Sequence, residues 1–328
     1  MRNDRFNIRT VLMVMVCLFV TATSILAQSD TSSISGTVTD VSGALVPDAQ
    51  ITIHNNATLA DRTITSNENG TFTLTNLAPG DYRIRVTKAG FQATTLNDVH
   101  IDPSIGRKVD IAMKVGDTSI TVTVEAGANT VQTESGAVGQ LITQEQVKSI
   151  QLNGRNPLYL SQMEPGVVRT QPMASFSFGL DNGINVNGAR SQESVITYDG
   201  APMVRTRSNG TSVGVADVDS TSQVQVLTTS YPAEYGRTSG GQIRMIPKSG
   251  TSDFHGSVFE YFRNTALNAN TWARNNTGLK RQGFHYNQFG WNLNGPVYIP
   301  GHFNQDRKKL FFLVGEEWTR YNHDDLSQ

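Results

Sequence analysis

At 328 residues, the chain is long enough for two or three domains. Its formal net charge of -1 gives no electrostatic basis for binding nucleic acid or an acidic membrane surface. Charged residues make up 17% of the chain, below the roughly 25% of ordinary soluble domains, and the frequent Gly, Ser, Thr and Asn favour β structure.

The first 27 residues have the layout of a secretory signal peptide. A basic start precedes an apolar stretch, residues 11–20, which is too short to span a bilayer, and small or polar residues follow. We expect cleavage after Ala27, with an uncleaved anchor as the alternative. Cys17, the single cysteine, lies in the apolar stretch, so the exported protein would have no disulfide, thiolate metal site or cysteine nucleophile.

Residues 28–114 are expected to form a β-sandwich. Short segments alternate apolar and polar residues, as in Tyr82, Ile84 and Val86, and turns rich in Gly, Pro and Asn separate them. Strands of this kind bury their apolar faces best as two packed sheets. The order SGTVTDVSGALVPDAQITI…TSNENGTFTLTNLAPGDYRIRVTKAGF resembles the carboxypeptidase regulatory-like domain, which has a carbohydrate-binding-like fold. Tyr82 and Phe72 lie at inward positions, so we interpret them as core residues and not as a sugar platform.

A mixed α+β unit is predicted for residues 128–250. Thr143-Gln-Glu-Gln146 is a capping box that begins a short helix over residues 144–150. Asn156-Pro157 begins a second helix, which ends at Pro165-Gly166. Short strands are then predicted over residues 183–187, 194–198 and 223–228, with a turn at Asp199-Gly200.

The last strand of this unit lies in EYGRTSGGQIRMIPKSGT, residues 234–251. Ile243 and Met245 alternate with Gln242 and Arg244, which is the period of a strand with one buried face. The sequence therefore predicts one apolar and one solvent-facing side for this strand.

The tail of the chain has the pattern of strands with one apolar face. Phe289, Trp291 and Leu293 alternate with small or polar residues, and aromatic residues are dense from Phe254 to Tyr321. Strands with an apolar outer face and aromatic girdles are typical of outer-membrane barrels. An ordinary soluble β domain is the alternative, because a single barrel strand gives only a weak signal in the sequence.

Three segments together resemble the plug domain and first barrel strands of TonB-dependent outer-membrane receptors. They are IQLNGRNPLYLSQMEPGV, INVNGARSQESVITYDGAPM and VQVLTTSYPAEYGRTSGGQIRMIPKSGTSDFHGSVFEYFRN. The similarity is greatest to the Oar-like receptors, which also carry an N-terminal regulatory-like sandwich, and it covers residues 32–328. It implies a mainly β chain with an N-terminal β-sandwich, an α+β plug domain over residues 128–250 and the start of a transmembrane β-barrel over residues 251–328.

The resemblance also implies a function. The chain would be the N-terminal part of a receptor whose plug gates a barrel for energised movement of a solute, with a carbohydrate as one candidate. The expected location is the outer membrane of a Gram-negative-type bacterium, and the expected partners are outer-membrane lipid and a TonB-type energy-coupling protein. No nucleic-acid partner is expected.

Residues 115–127 are predicted to be a linker that carries the segment captured by the energy-coupling protein. A β-branched strip between two glycines resembles the TonB box of the family, although Glu125 stands where a small or polar residue is usual. The alternative is a last sandwich strand or a plain linker, because a paired strand shows the same alternation. The candidate residues are Ser119, Ile120, Thr121, Val122, Thr123, Val124, Glu125 and Ala126.

The chain contains patterns that resemble enzyme and metal motifs, but none has the surroundings that its chemistry needs. Gly210-Thr-Ser-Val-Gly214 fits G-x-S-x-G, with Asp217 and His255 downstream, but the segment before the serine is charged and polar and the segment after it is not helical. Asp217-Val-Asp219 lacks the later ligands of a calcium loop, and the histidines have no metal-ligand spacing. The sequence therefore predicts no catalytic, cofactor or metal site.

A second class of function stays open at this point, namely a secreted or surface-attached β-rich protein for adhesion or carbohydrate binding. Residues 251–328 can supply about four strands, whereas a bacterial barrel needs at least about eight, and an unclosed edge is unstable in lipid. On the receptor interpretation, the sequence is therefore expected to be a fragment that does not insert alone.

Overall fold

The computed structural model describes residues 31–117, 121–125, 136–152, 154–169, 183–190, 193–205, 208–212, 217–233, 235–236 and 238–323. The chain is mainly β, in three consecutive units. Within these ranges, none of the helices combines the length and the apolar character needed to cross a membrane.

The first unit is a sandwich of two sheets, as predicted. One sheet has the order β4-β1-β7, with β8 also paired to β1, and the other has the order β3-β2-β5-β6-β9. The strands are β1 (Ser32–Asp40), β2 (Gln50–Asn55), β3 (Asp61–Thr65), β4 (Thr71–Leu77), β5 (Gly80–Thr87), β6 (Ala93–Ile101), β7 (Arg107–Lys108), β8 (Ile111–Met113) and β9 (Thr121–Glu125). Phe72 and Tyr82 are buried in the core between the sheets, which confirms their interpretation as core residues.

Gly36 makes a close approach possible between β1 and the chain that enters β8. A Cβ atom at this position would lie 1.8 Å from the carbonyl oxygen of Val109. Since β1 pairs in parallel with both β7 and β8, a side chain here would force the strands apart.

The segment of residues 28–114 is expected to fold without the rest of the chain, since both sheets and their shared core lie almost wholly within it. We expect a β-type circular dichroism spectrum and a cooperative thermal transition. Gly36→Ala should destabilise this segment by at least about 2 kcal/mol through overpacking, a fall in melting temperature of roughly 10 °C. Val41→Ala is the control, since Val41 is 68% exposed. A disordered spectrum of the parent segment would contradict the prediction.

The second unit is built on one five-stranded sheet of order β10-β17-β18-β13-β14. Two small strand pairs, β11 with β12 and β15 with β16, lie beside it. The strands are β10 (Val138–Ile142), β11 (Val167–Arg169), β12 (Ile184–Val186), β13 (Val195–Tyr198), β14 (Ala201–Pro202), β15 (Val204–Arg205), β16 (Ser208–Ser212), β17 (Thr221–Thr229) and β18 (Gln242–Pro247).

Both predicted helices of the second unit are present. Helix α1 (Gln144–Ser149) begins with the predicted capping box, in which Thr143 and Gln146 each accept a hydrogen bond from the other's main chain. The second helix, Pro157–Met163, is a 3₁₀ helix, and the Oδ1 atom of its N-cap Asn156 accepts from the main-chain N–H of Leu158 at 2.9 Å.

Strand β18 is buried on both faces, which corrects the prediction of a single buried face. Gln242 and Arg244, on its polar side, are as buried as Ile243 and Met245. The first unit contacts this side through Ser104, whose Oγ accepts from Arg244 Nη2 at 2.8 Å. Within the sheet of the second unit, Arg244 Nη1 donates to Gln225 Oε1 on β17 at 2.6 Å. The polar residues that alternate along β18 therefore form a buried face, and Arg244 on that face bonds a polar group of the first unit.

The third unit is an antiparallel meander of order β19-β20-β21, which follows β18 directly as predicted. Its elements are β19 (His255–Asn264), a 3₁₀ helix (Thr265–Leu267), helix α2 (Trp272–Asn276), β20 (Phe284–Pro296) and β21 (Phe311–His323). The prediction of about four strands is too high for the described residues, which hold three, because two of the strands have 13 residues each and the loops take the remainder.

The two faces of this meander differ in character. One face carries a set of exposed apolar side chains, here called the outer stripe: Val258, Phe262, Leu293, Val314 and Trp318. The other face holds Tyr261, which pairs with Gln288, and Glu317, whose register partner Gly290 lies two positions from Gln288 on the same face. This second face contacts the second unit. The second unit, which corresponds to the expected plug, is called the plug below, and the meander β19-β20-β21 is called the wall.

Candidate functional site: the contact between plug and wall

Arg155 lies in the turn between α1 and the 3₁₀ helix of residues 157–163. Gly154 and Arg155 both have positive φ, 81° and 52°, so two successive residues in the left-handed region reverse the chain there. A non-glycine residue in this region is strained, and it persists only where its surroundings fix it. The side chain of Arg155 is 11% exposed, and its contacts supply that constraint.

Three carboxylates surround the guanidinium of Arg155. Nη2 donates to Asp217 Oδ1 at 3.4 Å and to Asp219 Oδ2, both of the second unit. Nε donates to Glu317 Oε2 at 3.5 Å, on strand β21 of the wall. One cation therefore bridges two plug carboxylates and one wall carboxylate.

Strand β19 supplies two aromatic rings to the same cation. The guanidinium carbon of Arg155 lies 4.2 Å from the ring centroid of Phe259 and 4.5 Å from that of Tyr261. At these distances the ring faces attract the cation electrostatically. Since β20 contributes Gln288, which donates to Glu317 Oε1 and to Gly154 O, all three wall strands take part.

A second cation holds the loop that carries the plug carboxylates. Lys248 Nζ donates to the main-chain oxygen of Asp219. Burial, together with the nearby charge of Lys148, lowers the pKa of Lys248. Arg155 thus contacts the side chains of the Asp217–Asp219 loop, and Lys248 contacts its main chain. Lys248 follows β18 directly, in the segment that leads into the wall.

A cleft of about 430 Å³ adjoins this cluster, with Leu152 among its lining residues.

The sequence patterns include these residues but do not predict their association. Arg155 lies in the LNGRNP segment, whose capping signals and resemblance to a plug domain indicate no partner for it, and Asp217 occurs only in the rejected hydrolase and calcium-loop patterns. The partners of Arg155 lie 62, 64 and 162 residues away, and no local pattern relates positions at such separations.

The predicted energy-coupling segment is described only in part. Ser119, Ile120 and Ala126 lie outside the described residues. Thr121–Glu125 forms strand β9, which pairs in parallel with β6 from Ala93↔Thr121 to Asn97↔Glu125. This arrangement fits the alternative of a last sandwich strand, and the coupling role of the segment stays a prediction.

The serine-hydrolase pattern is dispersed in the structure. Gly210 and Ser212 lie in strand β16, and the two following residues of the pattern are outside the described ranges. The carboxylate of Asp217 contacts Arg155, whereas Nδ1 of His255 lies 3.0 Å from Thr251 Oγ1. In the part of the chain that the structure describes, His, Cys, Asp and Glu form no group of three or more that could hold a metal ion.

The first unit docks on the second through the end of β6 and the loop after it. His100 Nε2 lies 3.1 Å from Gln223 Nε2, and the other ring nitrogen lies 2.6 Å from Asp81 Oδ1. The hydrogen bond between His100 and the accepting carboxylate of Asp81 raises the pKa of His100 and lowers the pKa of Asp81. Together with the bond between Arg244 and Ser104, this contact fixes β6 relative to the plug sheet.

The chain matches three family models in succession. They are a carboxypeptidase regulatory-like domain over residues 33–114, a TonB-dependent receptor plug domain over residues 130–242, and an outer membrane beta barrel domain over residues 246–328. Among curated proteins, the TonB-dependent transporter Oar of Myxococcus xanthus is 25% identical over 311 residues, which is 90% of this chain and 28% of that protein. The chain thus spans less than a third of the length of this relative, which is a transporter.

Solved structures give weaker likenesses. The ferric enterobactin receptor PfeA matches 57% of this chain and 25% of its own, with 20% identity and a TM-score of 0.40. The siderophore receptor PirA from Acinetobacter baumannii matches the same shares at 20% identity, with a TM-score of 0.42. Catechol 1,2-dioxygenase from Acinetobacter radioresistens matches 32% of the chain with a TM-score of 0.23. All three scores are too low to support a functional argument.

Proposed function

From the three family models matched in succession we infer that the chain belongs to the TonB-dependent outer-membrane receptors, and we propose that its plug gates a β-barrel for the energised movement of a solute. The observation that carries the proposal is the bridge from Arg155 of the plug to Glu317, Phe259 and Tyr261 of the wall. A plug that is held in a barrel by few, strong polar contacts can seal the lumen and still be displaced.

The proposed organisation follows the predicted boundaries. Residues 1–27 are a signal peptide that is removed on export, residues 28–114 are the regulatory-like sandwich, and residues 115–127 are the linker with the energy-coupling segment. Residues 128–250 are the plug and residues 251–328 begin the barrel. The outer stripe faces lipid, where apolar and aromatic side chains are stable.

The proposed partner for energy coupling is a TonB-type protein that takes Ser119–Ala126 as an added strand. No catalysis is proposed. The alternative of a carbohydrate-binding or adhesive protein lacks support from the first domain, because Phe72 and Tyr82 are each 3% exposed and cannot form a sugar platform.

Deletion of the plug tests the gating role. Removal of residues 128–250 from the receptor should leave an open lumen, so cells should become sensitive to a large antibiotic that an intact outer membrane excludes. The matched control is removal of residues 28–114, which keeps the plug and should leave resistance unchanged. Equal resistance after both deletions, with equal amounts of receptor in the outer membrane, would show that the plug does not seal the barrel.

A further inference from the structure

Strand β9 is the edge strand of the larger sandwich sheet. The sheet order β3-β2-β5-β6-β9 leaves β9 with one neighbour, and in the described part of the chain its other edge pairs with no strand. An edge of this kind presents a row of main-chain donors and acceptors that can receive another strand.

The sequence of β9 lacks the features by which proteins protect such an edge. Thr121-Val-Thr-Val-Glu125 is a β-branched run with no proline or lysine and a single charge at its end. Exposed edges are normally blunted by lysine, proline or a bulge, because a bare edge templates pairing with other chains. An unprotected, β-branched edge is therefore suited to one kind of partner, an extended strand that joins it through main-chain hydrogen bonds.

Pairing with β6 fixes the backbone of β9 before any partner arrives. A free five-residue segment loses roughly 1 kcal/mol or more of conformational entropy per residue when a partner orders it. In this structure that ordering is already supplied by the parallel ladder from Ala93↔Thr121 to Asn97↔Glu125. A preorganised segment binds more tightly because less freedom is lost on association.

The position of β9 is also fixed relative to the plug. The strand that holds it, β6, contacts Gln223 of the plug sheet through His100, and the following loop bonds Arg244 through Ser104. A further main-chain bond joins Ser252 N, in the segment just after the plug, to Ala57 O of the sandwich at 3.0 Å. The edge therefore lies at a defined place beside the plug and does not depend on a freely moving linker.

From these observations we propose that the regulatory-like domain presents the energy-coupling segment: β6 displays Thr121–Glu125 as a ready-made edge strand, and an extended strand of the TonB-type partner joins its free edge. This inference rests on the proposed function, since it assigns a role in coupling to the first domain. It departs from a free, unpaired coupling segment, because the segment is recognised as part of a sheet.

A disulfide that locks β9 onto β6 tests the proposal. Thr95 and Thr123 are register partners, so Thr95→Cys with Thr123→Cys should form a disulfide under mild oxidation. Cys17, in the signal peptide, is the single native cysteine and does not interfere. Asp98→Cys with Thr123→Cys is the off-register control, since residue 98 lies three positions, about 10 Å, beyond the partner of Thr123.

The locked full-length receptor is then titrated in detergent with the purified periplasmic domain of the TonB-type protein. We expect the oxidised pair to bind as tightly as the parent or up to about tenfold more tightly, and to return to the parent value on reduction. No disulfide in the Thr95–Thr123 pair, or equal yield in the control pair, would overturn the pairing itself. A disulfide that abolishes binding until it is reduced would overturn presentation and show that β6 withholds the segment. A parent receptor that does not bind the domain would overturn the coupling assignment of the proposed function, and presentation with it.

Discussion

Replacement of Arg155 by methionine is expected to weaken the hold of the plug on the wall by about 3 kcal/mol. The substitution removes the guanidinium that contacts Asp217, Asp219 and Glu317 together, and it leaves these three partly buried carboxylates without that shared partner. An uncompensated charge in such a place is strongly destabilising, whereas methionine keeps most of the apolar stem of the side chain.

Hydrogen exchange of the receptor in detergent measures this effect. Exchange in residues 154–160 and 217–221 should become about a hundredfold faster, since each 1.4 kcal/mol corresponds to a factor of ten. Arg155→Lys should give an intermediate result, because an ammonium cannot reach several carboxylates as the guanidinium fork does.

Two further variants make the result specific to the contact between plug and wall. Arg307→Met is the matched control: Arg307 pairs with Asp253 at 3.8 Å, with side chains 43% and 75% exposed, so its loss should change stability by less than about 1 kcal/mol. Glu317→Gln in the Arg155→Met background should restore part of the protection, because it removes one unpaired carboxylate from the wall. Equal exchange in Arg155→Met and Arg307→Met would refute a bridging role for Arg155.

Val122→Pro is expected to abolish energised uptake in the full-length receptor, while export and solute binding stay normal. Proline removes a main-chain donor and fixes φ, so the segment can no longer form a regular ladder with an added strand. Val122→Thr is the control, since threonine is also β-branched and keeps the donor. Uptake is measured for a solute that cells can use only when they carry the receptor gene. Each measurement is made with and without a protonophore.

Two outcomes of this substitution would change the account. Equal uptake by Val122→Pro and Val122→Thr would exclude Ser119–Ala126 as the coupling segment. Loss of folding of the first domain in Val122→Pro, with Val122→Thr folded, would favour the alternative in which β9 is only a strand of the sandwich.

Local patterns predicted much of this fold because their causes are local. The capping box at Thr143 and the N-cap at Asn156 depend on residues two or three positions apart, and both lie where the sequence placed them. The inward parity of Phe72 and Tyr82 likewise follows from the two-residue period of a strand.

The features that sequence patterns missed depend on contacts between units. The polar face of β18 is buried because Ser104 of another unit meets Arg244, and polar residues at alternate positions otherwise predict exposure. The Arg155 cluster likewise joins residues from the plug with all three strands of the wall. In β9, alternation is the same for a paired edge strand and for a free extended segment, so the structure alone distinguishes the pairing with β6.

The most direct test of the central claim, an energy-coupled receptor, is photo-crosslinking in living cells. A photoreactive amino acid is placed at Thr123 of the full-length receptor, or at Val41, which is 68% exposed on the same domain, as the control. The account predicts a covalent adduct with a TonB-type protein from position 123, little from position 41, and loss of the adduct when Val122→Pro is added. No adduct from position 123, or equal adducts from both positions, would contradict it.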